Sequence, residues 1–143
     1  MRQDEVFDLR CICHKGVGGS DAAYRGVEIF EQLVGDAGRV AWTMKTYAFQ
    51  RDEAAPPTVN PSLWRQARLN NIHGLFEVVP GVYQVRGFDI ANMTLIEGQR
   101  GVIIVDVLTA VEAAREALAL YRRHRGDRPV TGIVYTHTHV DHW

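Results

Sequence analysis

A chain of 143 residues, 46% hydrophobic and 23% charged with a formal net charge of -1, fits one globular unit with a sizeable core. The near-neutral balance gives no electrostatic basis for binding nucleic acid or an anionic membrane. No apolar run approaches the ~20 residues that a membrane-spanning helix needs. Met1-Arg-Gln-Asp-Glu-Val-Phe-Asp8 carries acids where a signal peptide needs an apolar core. A cytoplasmic setting is therefore the default expectation, with a periplasmic or secreted one left open. Cys11 and Cys13 are the only cysteines. Cys11-Ile-Cys13-His14 lacks the Cys-x-x-Cys spacing of a structural metal site, and residues two apart rarely bridge, so both read as reduced thiols.

Gly16-Val-Gly-Gly-Ser20 has no apolar strand before it and no Gly-Lys-Ser/Thr after it, so it reads as a flexible connection, not a phosphate cradle. Residues 22–35 predict a short helix, with Ile29, Phe30 and Leu33 at roughly helical spacing and Gly35 ending it. A turn and a short strand, Arg39-Val-Ala-Trp-Thr43, follow. Ala54-Ala-Pro-Pro-Thr58 is a stiff linker by composition. After it, Asn60 is a good N-cap and Pro61 suits the first position of a helix reaching about residue 71. Arg65 and Arg68 read as a solvated face of that helix, with contact to an anionic substrate as the alternative. His73, between Ile72 and Gly74, reads as a packing or capping histidine.

From residue 75 the apolar pattern changes to period two. Residues 75–79 and 82–86, joined by Pro80-Gly81, predict one hairpin, and residues 92–97 and 102–106 a second. Val102-Ile-Ile-Val105 is apolar on both faces, which predicts a central strand. Thr109-Ala-Val-Glu112 predicts a capping box opening a helix to about Arg125, with Val111, Ala114, Leu118 and Tyr121 as its buried stripe. Arg122, Arg123 and Arg125 then lie in its last turn, where the helix dipole favours cations, and Gly126 ends it. Residues 130–136 predict a second central strand. Strand, helix, strand in this order predicts a right-handed crossover between parallel strands.

The chemistry concentrates at Tyr135-Thr-His-Thr-His-Val-Asp-His142. At the end of a strand, alternate side chains share a side, so His137 and His139 converge while a turn brings in Asp141 and His142. Neutral imidazole nitrogen and carboxylate oxygen are the donors a zinc-like divalent ion accepts. The cluster leaves the C-terminal end of its strand, where open α/β sheets place their sites.

Two hairpins, an apolar strand ending in Asp106, a crossover helix and His137-Thr138-His139-Val140-Asp141-His142 together resemble the first half of the metallo-β-lactamase superfamily. Further segments are similar to the N-terminal part of its alkyl sulfatases, the dodecyl-sulfate-hydrolysing enzymes. These are Thr58-Val-Asn-Pro-Ser-Leu-Trp-Arg-Gln66, Gly74-Leu-Phe-Glu77, Gly81-Val-Tyr-Gln-Val-Arg-Gly-Phe-Asp89 and Asn92-Met-Thr-Leu-Ile-Glu-Gly98. The similarity runs from about residue 38 to residue 143. It implies an α/β fold, the first half of an αββα sandwich, in residues 58–143, preceded by a mostly irregular or short-helical extension and linker in residues 1–57.

The resemblance also implies a binuclear zinc site: His137 and His139 on one ion, Asp141 and His142 on the other, with Asp141 doubling as the catalytic group that orients the attacking water. The reaction implied is hydrolysis of a primary alkyl sulfate to alcohol and inorganic sulfate. The small-molecule ester is the expected partner, alongside a homodimer formed through regions outside this chain. The runner-up activities are those of other hydrolases of this fold, a phosphodiesterase or a thioesterase. The superfamily draws further metal ligands from downstream, and this chain ends one residue after His142. The expectation is therefore an N-terminal fragment, inactive alone and a weak metal binder, with one sheet face left uncovered.

Overall fold

The computed structural model describes residues 32–35, 37–52 and 54–143. The cysteine pair with His14, the glycine-rich stretch at 16–20 and residues 22–31 of the expected first helix lie outside the described residues. Within them that helix does not continue. Gln32–Val34 is a strand, β1, paired antiparallel with β2, Val40–Thr43. Leu33 is buried while Gln32 and Val34 are exposed, the two-residue alternation of a strand; partnership with β2 outweighs the local helical spacing.

A 3-10 helix, Lys45–Arg51, leads to α1, Pro61–Asn70. Asn60 caps α1 as its sequence dictates, its side-chain oxygen accepting from the Ser62 N–H at 2.9 Å. The buried Trp64 tilts against Phe49, ring centroids 6.1 Å apart, and donates its indole N–H to the Asp52 carbonyl at 3.1 Å. The proline-rich stretch before α1 carries neither helix nor strand.

The main sheet runs β3 (Gly74–Val79), β4 (Val82–Arg86), β5 (Met93–Glu97), β6 (Val102–Val105) and β7 (Val130–Val134), in that spatial order. The first four pair antiparallel through the two expected hairpins. β6 and β7 are parallel, joined by α2, Val111–Arg125. β6 is interior, as its apolar run requires. β7 is not: among the described residues its only hydrogen-bonded strand neighbour is β6, and Ile133 and Val134 are half exposed.

One face of the sheet buries Leu75, Tyr83, Val85, Met93, Leu95, Val102 and Ile104 in a core closed by α2, with Leu33, Ala41 and Trp42 of the β1–β2 hairpin packed on it. The opposite face leaves Ile96 and Ile103 exposed, the uncovered side that the sequence led us to expect. The buried stripe of α2 is Ala113, Ala117, Leu120 and Tyr121, one step round from the expected one, and Val111 is exposed. Two alanines bring the helix backbone close to the sheet, a fit that larger side chains at those places would prevent.

The capping box does not form either. The N-cap is Ala110, with no side-chain bond to the helix. Thr109 is taken instead by the buried Asp89, which accepts from its N–H at 2.7 Å and its hydroxyl at 3.0 Å. A buried carboxylate costs several kcal/mol unless donors meet it, so its demand outranks a cap worth about 1 kcal/mol.

Candidate metal centre at the strand ends

Two strand ends build the site. β6 and β7 run in register, Val105 opposite Val134, so they finish side by side. Asp106 continues the ladder, its N–H bonded to the Val134 carbonyl at 2.9 Å, and then turns the chain with φ of 58°. Leu108 follows at φ 72°. Left-handed backbone costs a non-glycine residue on the order of 1 kcal/mol, and it persists only where surroundings over-determine it. Here the burial of Leu108 and the grip of Asp89 on Thr109 do so.

The turn aims the buried Asp106 carboxylate across the strand ends at the loop leaving β7. It accepts from the Thr136 N–H at 2.8 Å, from the Thr136 hydroxyl at 3.0 and 2.9 Å, and from His142 Nδ1 at 2.7 Å. Burial pushes this carboxyl up, but the Thr136 N–H, the His142 ring and the Thr136 hydroxyl together hold it below the usual carboxylate range. The same bond to Asp106, ahead of all other influences, raises the His142 imidazole above its ordinary value.

The four predicted residues lie around this anchor. His137 Nε2 stands 3.0 Å from His139 Nδ1, and the His137 ring lies on that of His142, centroids 4.1 Å apart. A turn closed by the His142 N–H on the His139 carbonyl, at 3.0 Å, brings in Asp141, whose carboxylate oxygen is 3.1 Å from His142 Nε2. Trp143 donates its indole N–H to the Thr138 carbonyl at 3.1 Å and ties the loop to itself. His137 and His139 are exposed; Asp141 and His142 keep about a fifth of their side-chain surface in solvent.

The donor set fits a divalent ion in pairs. Two ligands of one tetrahedral zinc, each at ~2.0–2.1 Å, stand roughly 3.3 Å apart. The pairs His137 Nε2 with His139 Nδ1, and Asp141 Oδ2 with His142 Nε2, lie at 3.0 and 3.1 Å. His142, bonded on its far nitrogen to Asp106, has the carboxylate–histidine arrangement that orients metal ligands. Among the described residues no three such donors converge on one ion position, so each pair is short of a closed shell.

Sequence reasoning treated Asp106 only as the end of a strand and passed over Thr136 and Asp89 as site residues. A signal was there: a lone acid closing an apolar central strand, beside a strand that ends in the histidine cluster. Arg65 and Arg68 sit on α1, which packs on the 3-10 helix. His73 is half-buried against Gly87, and burial foremost lowers its pKa, as befits a packing histidine.

Residues 86–143 match the model of the metallo-beta-lactamase superfamily. The chain is 56% identical over 113 residues to an alkyl/aryl-sulfatase of Saccharomyces cerevisiae, an alignment covering 79% of this chain and 18% of that protein. It is 51% identical over 114 residues to a linear primary-alkylsulfatase of a Pseudomonas species, covering 79% and 17%. The solved structure of a stereoselective inverting sec-alkylsulfatase from Pseudomonas superposes with a TM-score of 0.74 at 50% identity, over 95% of this chain and 21% of that one. The chain thus spans about a fifth of the length of these relatives. With its parallel crossover and the histidine motif at the strand ends, it belongs to the metallo-β-lactamase superfamily, and within it to the alkyl sulfatases, of which it carries part.

Proposed function

We propose that the protein to which this chain belongs is a zinc-dependent sulfuric ester hydrolase that cleaves primary alkyl sulfates such as dodecyl sulfate. Residues 58–143 contribute part of its catalytic domain and residues 1–57 an extension. One observation carries the reading: Asp106 and Thr136 pin the loop after β7 so that His137 with His139, and Asp141 with His142, each present two donor atoms at ligand spacing. The names of the relatives support the sulfate ester as substrate, and the linear primary-alkylsulfatase among them supports a primary chain.

In this reading His137 and His139 hold one ion and Asp141 and His142 a second. Bound there, the ions lower the pKa of water toward neutrality and stabilise charge developing on the ester. The protein's own part is orientation. Asp106 fixes the His142 ring through Nδ1, and the Asp141 carboxylate, beside His142 Nε2, accepts a hydrogen bond from the attacking water and aims it. One water is consumed; the ester oxygen leaves as the alcohol, and sulfate and a proton are released.

The test is zinc content and sulfate release from dodecyl sulfate, a secondary alkyl sulfate, a phosphodiester and a thioester, for this chain and for a version extended past Trp143. The expected result is two zinc ions per extended chain, release of sulfate from dodecyl sulfate first, and loss of turnover in Asp141→Asn. Preference for the secondary ester corrects the substrate. Turnover of the phosphodiester or thioester alone removes the sulfatase reading, and full turnover by residues 1–143 alone removes the account of incomplete donor pairs.

A further inference from the structure

In the reading above Thr136 pins the loop to Asp106, yet its hydroxyl also reaches two of the four donors, His137 and His142. Its hydroxyl oxygen lies 3.0 and 2.9 Å from the two Asp106 oxygens, 2.9 Å from His137 Nδ1 and 3.5 Å from His142 Nδ1. A hydroxyl has one proton to give and lone pairs with which to accept. The buried carboxylate only accepts, so it takes the Thr136 proton, as it takes the one on His142 Nδ1 at 2.7 Å. What remains toward His137 is a lone pair, and His137 Nδ1 must then carry hydrogen. Its Nε2 is left bare, and that is the atom 3.0 Å from His139 Nδ1.

We propose that Thr136 is a positioning residue that relays Asp106 to His137, so that one buried carboxylate sets the tautomer of two donor histidines. It acts on His142 directly and on His137 through the hydroxyl. No hydrogen bond joins Asp106 to His137; the relay is the link. The proposal rests on the metal-centre reading for its purpose, since the tautomer chosen bares Nε2, the nitrogen that a ligand needs. Its chemistry stands apart from that reading, because free imidazole side chains prefer the opposite tautomer. The arrangement therefore has to be imposed. The main-chain N–H of Thr136, which any residue at this position keeps, bonds Asp106 at 2.8 Å and holds the strand ends together without the hydroxyl.

The test uses the full chain with nitrogen-15-labelled histidine, read by long-range imidazole spectra, together with zinc affinity from competition with a chromogenic chelator. The wild-type protein is expected to hold His137 in the Nδ1–H form. Thr136→Val, of nearly the same shape, should release the ring to the Nε2–H form and weaken zinc binding by about 10- to 100-fold, the range for loss of an outer partner of a ligand. Thr136→Ser keeps the hydroxyl and should restore both. Asp106→Ala is the second variant: it does not touch His137, yet with no carboxylate to take its proton the Thr136 hydroxyl turns to His137 Nδ1 and flips that ring too. An unchanged His137 tautomer in Thr136→Val or Asp106→Ala overturns the relay, whatever zinc does. Absence of zinc binding in the wild-type and extended proteins, with the tautomers as described, overturns the metal centre and leaves the relay standing.

Discussion

Glu97→Gln changes one charge at the end of the sheet opposite the histidines and keeps the side chain's shape. Glu97 pairs with Val102 where β6 begins, whereas the cluster leaves where β6 and β7 end. Its side chain is 9% exposed and accepts from the Tyr121 hydroxyl at 2.9 Å and from Arg125 through Nε and Nη2 at 3.0 and 3.1 Å. Arg125 in turn lies 4.7 Å over the Tyr83 ring. Removing one partner of a fully buried ion pair costs about 3–5 kcal/mol. Arg125 keeps 28% of its side-chain surface in water. Glutamine also keeps one acceptor oxygen, so the expected loss is nearer ~2 kcal/mol, about the worth of one hydrogen bond to a charged group.

Urea denaturation at pH 7 reads this loss directly. The pH dependence gives a second handle. The bonds from Arg125 above all hold the Glu97 carboxyl below the usual range, so its contribution is full above the unfolded value of ~4.3 and fades as pH falls through the lower folded value. The gap between wild type and Glu97→Gln should therefore be full at pH 7 and shrink at pH 3. Tyr121, pushed up to about 12 by burial first and then by Glu97, should titrate earlier in the variant. Zinc affinity should not move. A gap under ~0.5 kcal/mol at pH 7, as an exposed pair gives, or one that stays constant down to pH 3, as a loss independent of the carboxylate's charge gives, refutes the reasoning.

Gly87→Ala should be among the harshest small changes in the chain. Gly87 has φ of 76°, and an added Cβ falls 2.3 Å from the Cβ of His73. A loss of about 3 kcal/mol is expected, seen as a fall of more than ~5 °C in thermal midpoint, and an unchanged midpoint would show that β4 and the stretch before β3 separate easily. Asn60→Ala should cost ~1 kcal/mol by loss of the cap on α1, with the urea slope unchanged; a difference inside measurement error means that the proline at the first position suffices alone.

How far the sequence foretold this molecule depends on whether a side chain answers to near neighbours or distant ones. The hairpins, α1 with its Asn60 cap and the strand–helix–strand order of β6, α2 and β7 were legible, because hydrophobic spacing and cap chemistry are local rules. Thr109 was misread because its partner, Asp89, lies twenty residues away in another loop. The α2 stripe was misread because Ala113 and Ala117 count for little by hydropathy, while the flat sheet against them makes smallness the selected property. β1 was misread because its partner strand, not its own spacing, decides it. The site divides in the same way. The four donors stand within six residues and announced themselves; Asp106 and Thr136, 30 residues apart in sequence, met only once the parallel pairing of β6 and β7 was in hand.

That division has a thermodynamic consequence. Because His137, His139, Asp141 and His142 are adjacent in the chain, an unfolded chain offers all four donors to a metal nearly as readily as the folded one. An ion stabilises a fold only by the ratio of its affinities for the folded and unfolded states. Here that ratio comes from the one group the unfolded chain does not bring along, Asp106. Adding zinc should thus raise the melting temperature less than the number of donors suggests. Whatever rise it does produce measures how much the strand-end clamp, and not the histidines, contributes to holding the ion.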